Sequence, residues 1–317
     1  MSVELIDLHP APADLDRLVQ TGLAQQPKQL PAWLLYDAEG SRLFAEICNQ
    51  PEYTITRTEI TLLEQQATEI ATAVGQGVVV EFGIGTARKV DPLLQALRPA
   101  AFMALDISRT ALEASLSALA QRHQDTLMLG ICCDHSTLDA LPDHQRLRGE
   151  RRIGFFPGSS LGNFSPEDAI TVLKQFRRLL DGGPLLLGLD QPRDPSLLEA
   201  AYNDAAGVSA AFARNLLHRL NRDLNGNARP EQFRYRARWQ PLQHRIEMAL
   251  VSRCDQTVRL AEQSWSFSEG EALITEHSVK YSPEAAAELA SRAGWRIRQR
   301  WHDPDDTLSL HWLEPAD

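Results

Sequence analysis

The chain has 317 residues, 43% of them hydrophobic, and a formal net charge of −10. This length suits two domains, or one domain with a large insertion, and the acidic balance lacks the basic footprint of a nucleic-acid binder. No run approaches the roughly 20 apolar residues of a membrane helix. The start, Met1-Ser2-Val3-Glu4-Leu5, has no basic segment followed by an apolar one. The expectation is a cytoplasmic monomer with no membrane or nucleic-acid partner. Cys48, Cys132, Cys133 and Cys254 form neither a C-x-x-C pair nor a zinc spacing, and the nine histidines include no H-x-x-x-H pair. Reduced thiols and no metal are therefore expected.

In chain order, residues up to about Arg57 hold Pro27, Pro31 and Pro51 and few regular signals. From Val78 onward, short apolar runs alternate with helical periods. Strands are predicted over 78–83, 102–106, 127–133, 153–156 and 185–189. Val90, Leu93, Leu94 and Leu97 share one helical face, and Leu112, Leu116 and Leu119 mark a second helix. A third begins at Ser165-Pro166-Glu167-Asp168, a cap followed by a first-turn proline and acids, and stops at Gly182-Gly183. Strands alternating with helices predict a mostly parallel sheet covered on both faces. Between about 193 and 282 the pattern changes to helices followed by alternating strands, in which Phe233, Tyr235, Ala237 and Trp239 interleave with arginines. The α/β pattern then resumes with a helix from Ser282 to Gly294 and a closing hairpin through Asp303-Pro304-Asp305-Asp306. The expected fold is α/β: a Rossmann-like class I methyltransferase domain (58–192 and 283–317) with an inserted α+β substrate-binding domain (193–282), packed with residues 1–57.

The segment Val78 to Thr86 is a strand, a glycine turn at Gly83-Ile84-Gly85, and a helix start. Glycines permit close backbone approach to a ligand, and a helix N-terminus offers free N–H groups. Asp106 ends the second strand, where an acidic residue can meet ribose hydroxyls. Asp134 ends the third, where a carboxylate can accept from an adenine amino group. A dinucleotide is the competing ligand. Its G-x-G-x-x-G fingerprint needs a glycine where this chain has Arg88, and Glu81 would face a pyrophosphate. A cationic sulfonium tolerates Glu81, which favours S-adenosylmethionine. Lys89 can pair with the carboxylate of that cofactor. At the fourth strand end, Phe156 to Phe164 holds Gly158, Ser159, Ser160, Gly162 and Asn163, in the position where open α/β sheets bind ligands.

Further segments carry a resemblance. They are Leu35-Tyr36-Asp37, Gly40-Ser41 and Leu43-Phe44; Pro51-Glu52-Tyr53 with Thr56-Arg57-Thr58-Glu59; the Glu81 to Thr86 turn; and Gly158 to Asn163. Tyr202 to Val208, Arg245-Ile246-Glu247-Met248 and Thr275-Glu276-His277-Ser278 complete the set. In this order, over nearly the whole chain, they resemble the L-histidine Nα-methyltransferases of ergothioneine biosynthesis. The resemblance implies three successive methyl transfers from S-adenosylmethionine to the α-amino group of histidine, giving hercynine, with histidine and its mono- and dimethylated forms as substrates. It implies that Asn163 and Tyr202 hold the substrate carboxylate, and that Tyr53 and the Gly158 turn lie beside the amine. Glu276 and Ser278 would hold the imidazole, with Met248 against the ring. Gly83, Lys89, Asp106, Asp134 and His135 would contact the cofactor. His135 stands where that family commonly has an aromatic such as Phe.

Two features agree with that implication. If the Glu276 segment is extended, Glu276 and Ser278 share a face by the two-residue period. A carboxylate and a hydroxyl so placed suit the two different imidazole nitrogens. A related enzyme acting on tryptophan is the nearest alternative, but an indole has one donor and no acceptor. A cofactor-binding module without catalysis is another, disfavoured by Tyr53, Asn163 and Tyr202. A dehydrogenase would need a nucleotide that tolerates Glu81. From its strand-end position, Asp106→Ala is expected to weaken S-adenosylmethionine binding in a calorimetric titration; unchanged affinity would reject the cofactor role.

Overall fold

The computed structural model describes residues 3–8, 14–85, 87–135 and 138–316. Thr86, the last residue of the expected cofactor turn, lies outside them, as do Met1 and Ser2. In chain order the elements are β1 (Val3–Asp7), α1 (Leu15–Leu23), β2 (Lys28–Gln29), α2 (Ala38–Ile47), α3 (Ile55–Val74), β3 (Val78–Phe82), α4 (Val90–Leu97), β4 (Ala101–Asp106), α5 (Arg109–Arg122) and β5 (Leu127–Cys132). They continue with β6 (Arg152–Phe156), α6 (Pro166–Leu179), β7 (Leu185–Asp190), α7 (Pro195–Ala201), α8 (Val208–Asp223), β8 (Phe233–Gln240) and β9 (Arg245–Ser252). The last are β10 (Gln256–Leu260), β11 (Gln263–Phe267), β12 (Ala272–Val279), α9 (Pro283–Arg292), β13 (Trp295–His302) and β14 (Leu308–Pro315).

The chain divides into two compact units. Met1–Pro10, Ile55–Gln191 and Tyr281–Asp317 form the first, and Ala11–Thr54 with Pro192–Lys280 form the second. The first contains an eight-stranded sheet in the order β1-β5-β4-β3-β6-β7-β14-β13. Strands β1 and β3 to β7 run parallel, while β14 is antiparallel to both β7 and β13. Every residue of β3, β5 and β7 is buried, as expected of parallel strands covered on both faces. The order reverses at β3, which lies between β4 and β6. Their carboxyl ends therefore open the crevice where such sheets hold ligands. This is the Rossmann-like arrangement with a terminal antiparallel hairpin expected from the pattern.

The placement of the N-terminal residues differs from expectation. Residues 1–57 were expected with the inserted lobe, and Ala11–Thr54 do group with Pro192–Lys280, but Met1–Pro10 and residues 55–57 do not. Instead β1 pairs parallel with β5, from Val3 opposite Met128 to Asp7 opposite Cys132. Without β1 the fully buried β5 would be the edge of the sheet, with an open row of backbone donors and acceptors. The 20-residue α3 also belongs to the first unit. Its helical period was not legible, because polar residues interrupt the apolar face and buried positions include Thr56 and Glu59.

The second unit holds a four-stranded sheet, β2-β12-β9-β8, and a two-stranded one, β10-β11. The strand β9 is antiparallel to both neighbours. Between Ile274 and Glu276 the β12 register shifts, so that Thr275 bulges out of the ladder and Glu276 comes opposite Met248. After the bulge the two-residue period sets Glu276 and Ser278 on one face.

Helix α6 begins as its sequence dictates. The Ser165 hydroxyl accepts from the Asp168 N–H at 3.2 Å, Pro166 takes the first turn, and Glu167 and Asp168 face the positive end of the helix. Ser165→Ala is expected to lower the unfolding free energy by about 1 kcal/mol in urea titration; an unchanged midpoint would show that the cap contributes nothing.

Candidate functional site

In the first unit, Gly83, Asp106, Asp134, His135, Gly158 and Asn163 all lie at or just beyond the carboxyl ends of parallel strands, and Lys89 precedes α4. Gly83 has φ of +84° and Gly85 +51°. An added Cβ at either would meet open space, so glycine is required there for conformation, and room remains above the turn. The Asp106 carboxylate accepts from Ile84 N at 3.1 Å and Ser108 N at 2.8 Å. Burial pushes its pKa up against those N–H groups.

Glu81 is 1% exposed and its Oε2 has no hydrogen-bond partner among the described residues. Burial drives its pKa well above the ordinary carboxylate value, with the Lys89 charge opposing the shift. Beside the glycine turn there is thus a buried oxygen that no described residue satisfies.

Lys89 is the N-cap of α4. Its Nζ lies 3.0 Å from Oε2 of the fully buried Glu59. The same carboxylate takes the Gly158 N–H at 2.8 Å from each oxygen. Gly158 has φ of +82°, and a Cβ there would come within 2.6 Å of Lys89 Nζ, so the turn and the lysine are packed against each other through Glu59. His135 sits among Phe82, Phe156 and Phe176, with ring centroids at 5.9, 6.3 and 5.5 Å. Its Nδ1 has no partner among the described residues, and burial lowers its pKa, which favours the neutral ring. Asn163 closes the one-turn helix Ser160–Asn163. The open space over Gly83 and Gly85, with the unpartnered Glu81 Oε2 and His135 Nδ1, fits a ligand that carries hydrogen-bonding groups and a flat ring.

In the second unit, Glu276 lies opposite Met248, and Met248 lies opposite Ala237, across β12, β9 and β8. Met248 packs with Leu198 and Ile246, against Tyr202, Tyr235, Ala237 and Trp239. Tyr36 donates to Glu276 Oε1 at 3.3 Å. The hydroxyls of Tyr202 and Ser278 are 2.7 Å apart, and Lys280 Nζ donates to each at 2.7 Å. The Tyr53 ring meets the Tyr202 ring edge-on at 5.8 Å. Burial raises the Glu276 pKa from an ordinary 4.5 to about 7, against the Tyr36 hydrogen bond and the Lys280 charge. Burial also holds Tyr36 and Tyr53 well above 10, so both phenols stay neutral.

Residues 15–315 match the model of a family described as histidine-specific methyltransferase, SAM-dependent. The chain belongs to this family. It is 37% identical to the histidine N-alpha-methyltransferase of Mycolicibacterium smegmatis, and the match covers 93% of each chain. Against the histidine N-alpha-methyltransferase of Mycobacterium tuberculosis the identity is 36%, with the same coverage. The ergothioneine biosynthesis protein 1 of Neurospora crassa is 32% identical over 87% of this chain, but over only 32% of its own length. Membership makes the chain an S-adenosylmethionine-dependent enzyme of the class I methyltransferase fold. Among the described residues no group of three or more His, Cys, Asp or Glu side chains gathers to hold a metal.

Three residues that reading the sequence as a methyltransferase left without a role belong to these clusters. Glu59 and Tyr36 fall inside the family-like segments, but nothing in their spacing shows that a buried carboxylate braces the Gly158 turn or that a phenol reaches Glu276. Lys280 was legible: it is the third member of the alternating row 276, 278, 280.

Glu276 ties stability to pH. Its folded pKa lies above its ordinary value, so the folded chain holds a proton that the unfolded chain releases. The stabilisation is complete below about pH 4.5 and is lost as pH rises to about 7. The loss is on the order of 3 kcal/mol. Urea titrations from pH 4 to 8 are expected to show Glu276→Gln flattening the dependence across that window; an equal slope in wild type and variant would show that Glu276 is not the group titrating.

Proposed function

We propose that the chain transfers methyl groups from S-adenosylmethionine to the α-amino nitrogen of L-histidine, three times in succession, giving hercynine. The observation that carries this is the row formed by Glu276 and Ser278, one acceptor and one hydroxyl on one buried face, beside Tyr36, Tyr202 and Met248. A neutral imidazole has one N–H to give and one nitrogen to receive. An indole has no acceptor, so with tryptophan the Ser278 hydroxyl would gain no bond from the ring.

The first unit is assigned the cofactor: Gly83 and Gly85 leave room for it, Asp106 for its ribose, Asp134 and His135 for its adenine, and Lys89 for its carboxylate. Bound there, S-adenosylmethionine supplies an electrophilic methyl group on a sulfonium. Asn163 and Gly158 keep, as proposals, the roles the resemblance implies at the substrate carboxylate and amine. In the second unit, Tyr53 and Tyr202 are assigned to the amino acid's polar end, Glu276 and Ser278 to the imidazole, and Met248 to its ring face. Methyl transfer is an in-line displacement, so placement is the main task and no nucleophilic side chain is required. The amine must be neutral to attack, and an α-amino group has a pKa of about 8. The neutral Tyr53 phenol does not hold a proton on that amine as a carboxylate would.

Incubation with histidine and methyl-labelled S-adenosylmethionine is expected to yield trimethylhistidine by mass spectrometry. Glu276→Ala is expected to lose histidine affinity and keep S-adenosylhomocysteine affinity in calorimetry. Turnover of a different amino acid with none of histidine would sink the assignment; parallel loss of both affinities would make Glu276 a structural residue.

A further inference from the structure

Lys280 is 1% exposed, and burying an ammonium costs several kcal/mol unless it is well bonded. It continues the row of Glu276 and Ser278 beyond the end of β12. Its Nζ donates at 2.7 Å to Ser278 Oγ and at 2.7 Å to the Tyr202 hydroxyl, and those two oxygens are themselves 2.7 Å apart.

A hydroxyl has one proton and two lone pairs, whereas an ammonium only donates. Each bond from Lys280 fills a lone pair on Ser278 or Tyr202 and so directs that hydroxyl to give its proton elsewhere. In the structure one of the two protons is used between the hydroxyls. A ligand with two acceptors can take both protons and leave the two lysine bonds in place. The charge acts in the same sense: an ammonium in the wall of a buried site opposes a cationic guest.

We propose that Lys280 is a positioning residue that makes Ser278 and Tyr202 hydrogen-bond donors toward the substrate, and so selects an amino acid whose side chain is a neutral acceptor heterocycle. This rests on the histidine reading above and deepens it. Hydroxyls alone accept as readily as they donate; with Lys280 occupying one lone pair of each, donation to the ligand is favoured. The side chain selected offers an unprotonated ring nitrogen to a hydroxyl and a ring N–H to Glu276.

The test is a double-mutant cycle on the full chain saturated with S-adenosylhomocysteine, read as the histidine dissociation constant by calorimetry. Lys280→Met is expected to weaken histidine binding about 10- to 100-fold, the worth of charge-assisted hydrogen bonds. Lys280→Gln, which keeps N–H donors without the charge, is expected to recover part of that loss. Ser278→Ala is expected to cost clearly less in the Lys280→Met background than in wild type, because the lysine acts through that hydroxyl. S-adenosylhomocysteine affinity and melting temperature report whether each variant is folded; if Lys280→Met is not, the Gln variant carries the cycle. Histidine affinity within about twofold of wild type, additive losses across the cycle, or an equal fall in cofactor affinity would each overturn the proposal. Failure of the wild-type chain to bind histidine would remove the functional reading and this inference together. Tight wild-type binding with an indifferent Lys280 would remove this inference alone.

Discussion

A carboxylate taken out of water must be paired, hydrogen-bonded or protonated, because an isolated buried charge is not tolerated. This chain buries three glutamates where its clusters form, and each answers the constraint differently. Glu59 is fully buried and bonded to Lys89 and to the Gly158 N–H. Glu81 has an oxygen with no partner among the described residues, and burial pushes its pKa up. Glu276 lies between these cases, with one phenol bond and a lysine charge holding its pKa at about 7 rather than higher.

These differences separate structural from chemical roles. Glu59 ties the turn after β6 to the residue that opens α4, two segments that a parallel sheet brings side by side at its switch point. The close approach of Gly158 to Lys89 exists because Glu59 holds both. Glu81 keeps an oxygen that no described residue uses, beside an open glycine turn, and Glu276 presents its carboxyl on a face shared with Ser278 and Lys280. A binding site needs groups of this kind, since a ligand gains only where the protein has left something to offer.

How much was legible follows from the same physics. Strands β3 to β7 read clearly because both faces of a parallel sheet are covered, so the runs are continuously apolar. The α6 and α9 starts read clearly because a capping serine followed by proline is a local signal. Strand β1 did not, since its five residues VELID mean little until β5 presents a free edge. Helix α3 did not, since its buried side chains include Glu59, which no hydrophobic pattern marks as interior. The Glu81 pKa shift was not legible for a related reason: formal charge is a property of sequence, but ionisation depends on burial.

The sequence by itself determined the alternation of strands and helices, the glycine turn at the end of β3, the acids at the ends of β4 and β5, and the two-residue row that sets Glu276 beside Ser278. Each is a local feature, written within a few residues by backbone geometry or hydrophobic period. Only the tertiary structure decided that burial raises the Glu81 pKa, that Glu59 bonds Lys89 and Gly158 together, that Val3–Asp7 completes the sheet, and that Lys280 reaches the Tyr202 hydroxyl across 78 residues of chain. These depend on solvent exclusion and on contacts between residues distant in sequence, which no local pattern encodes.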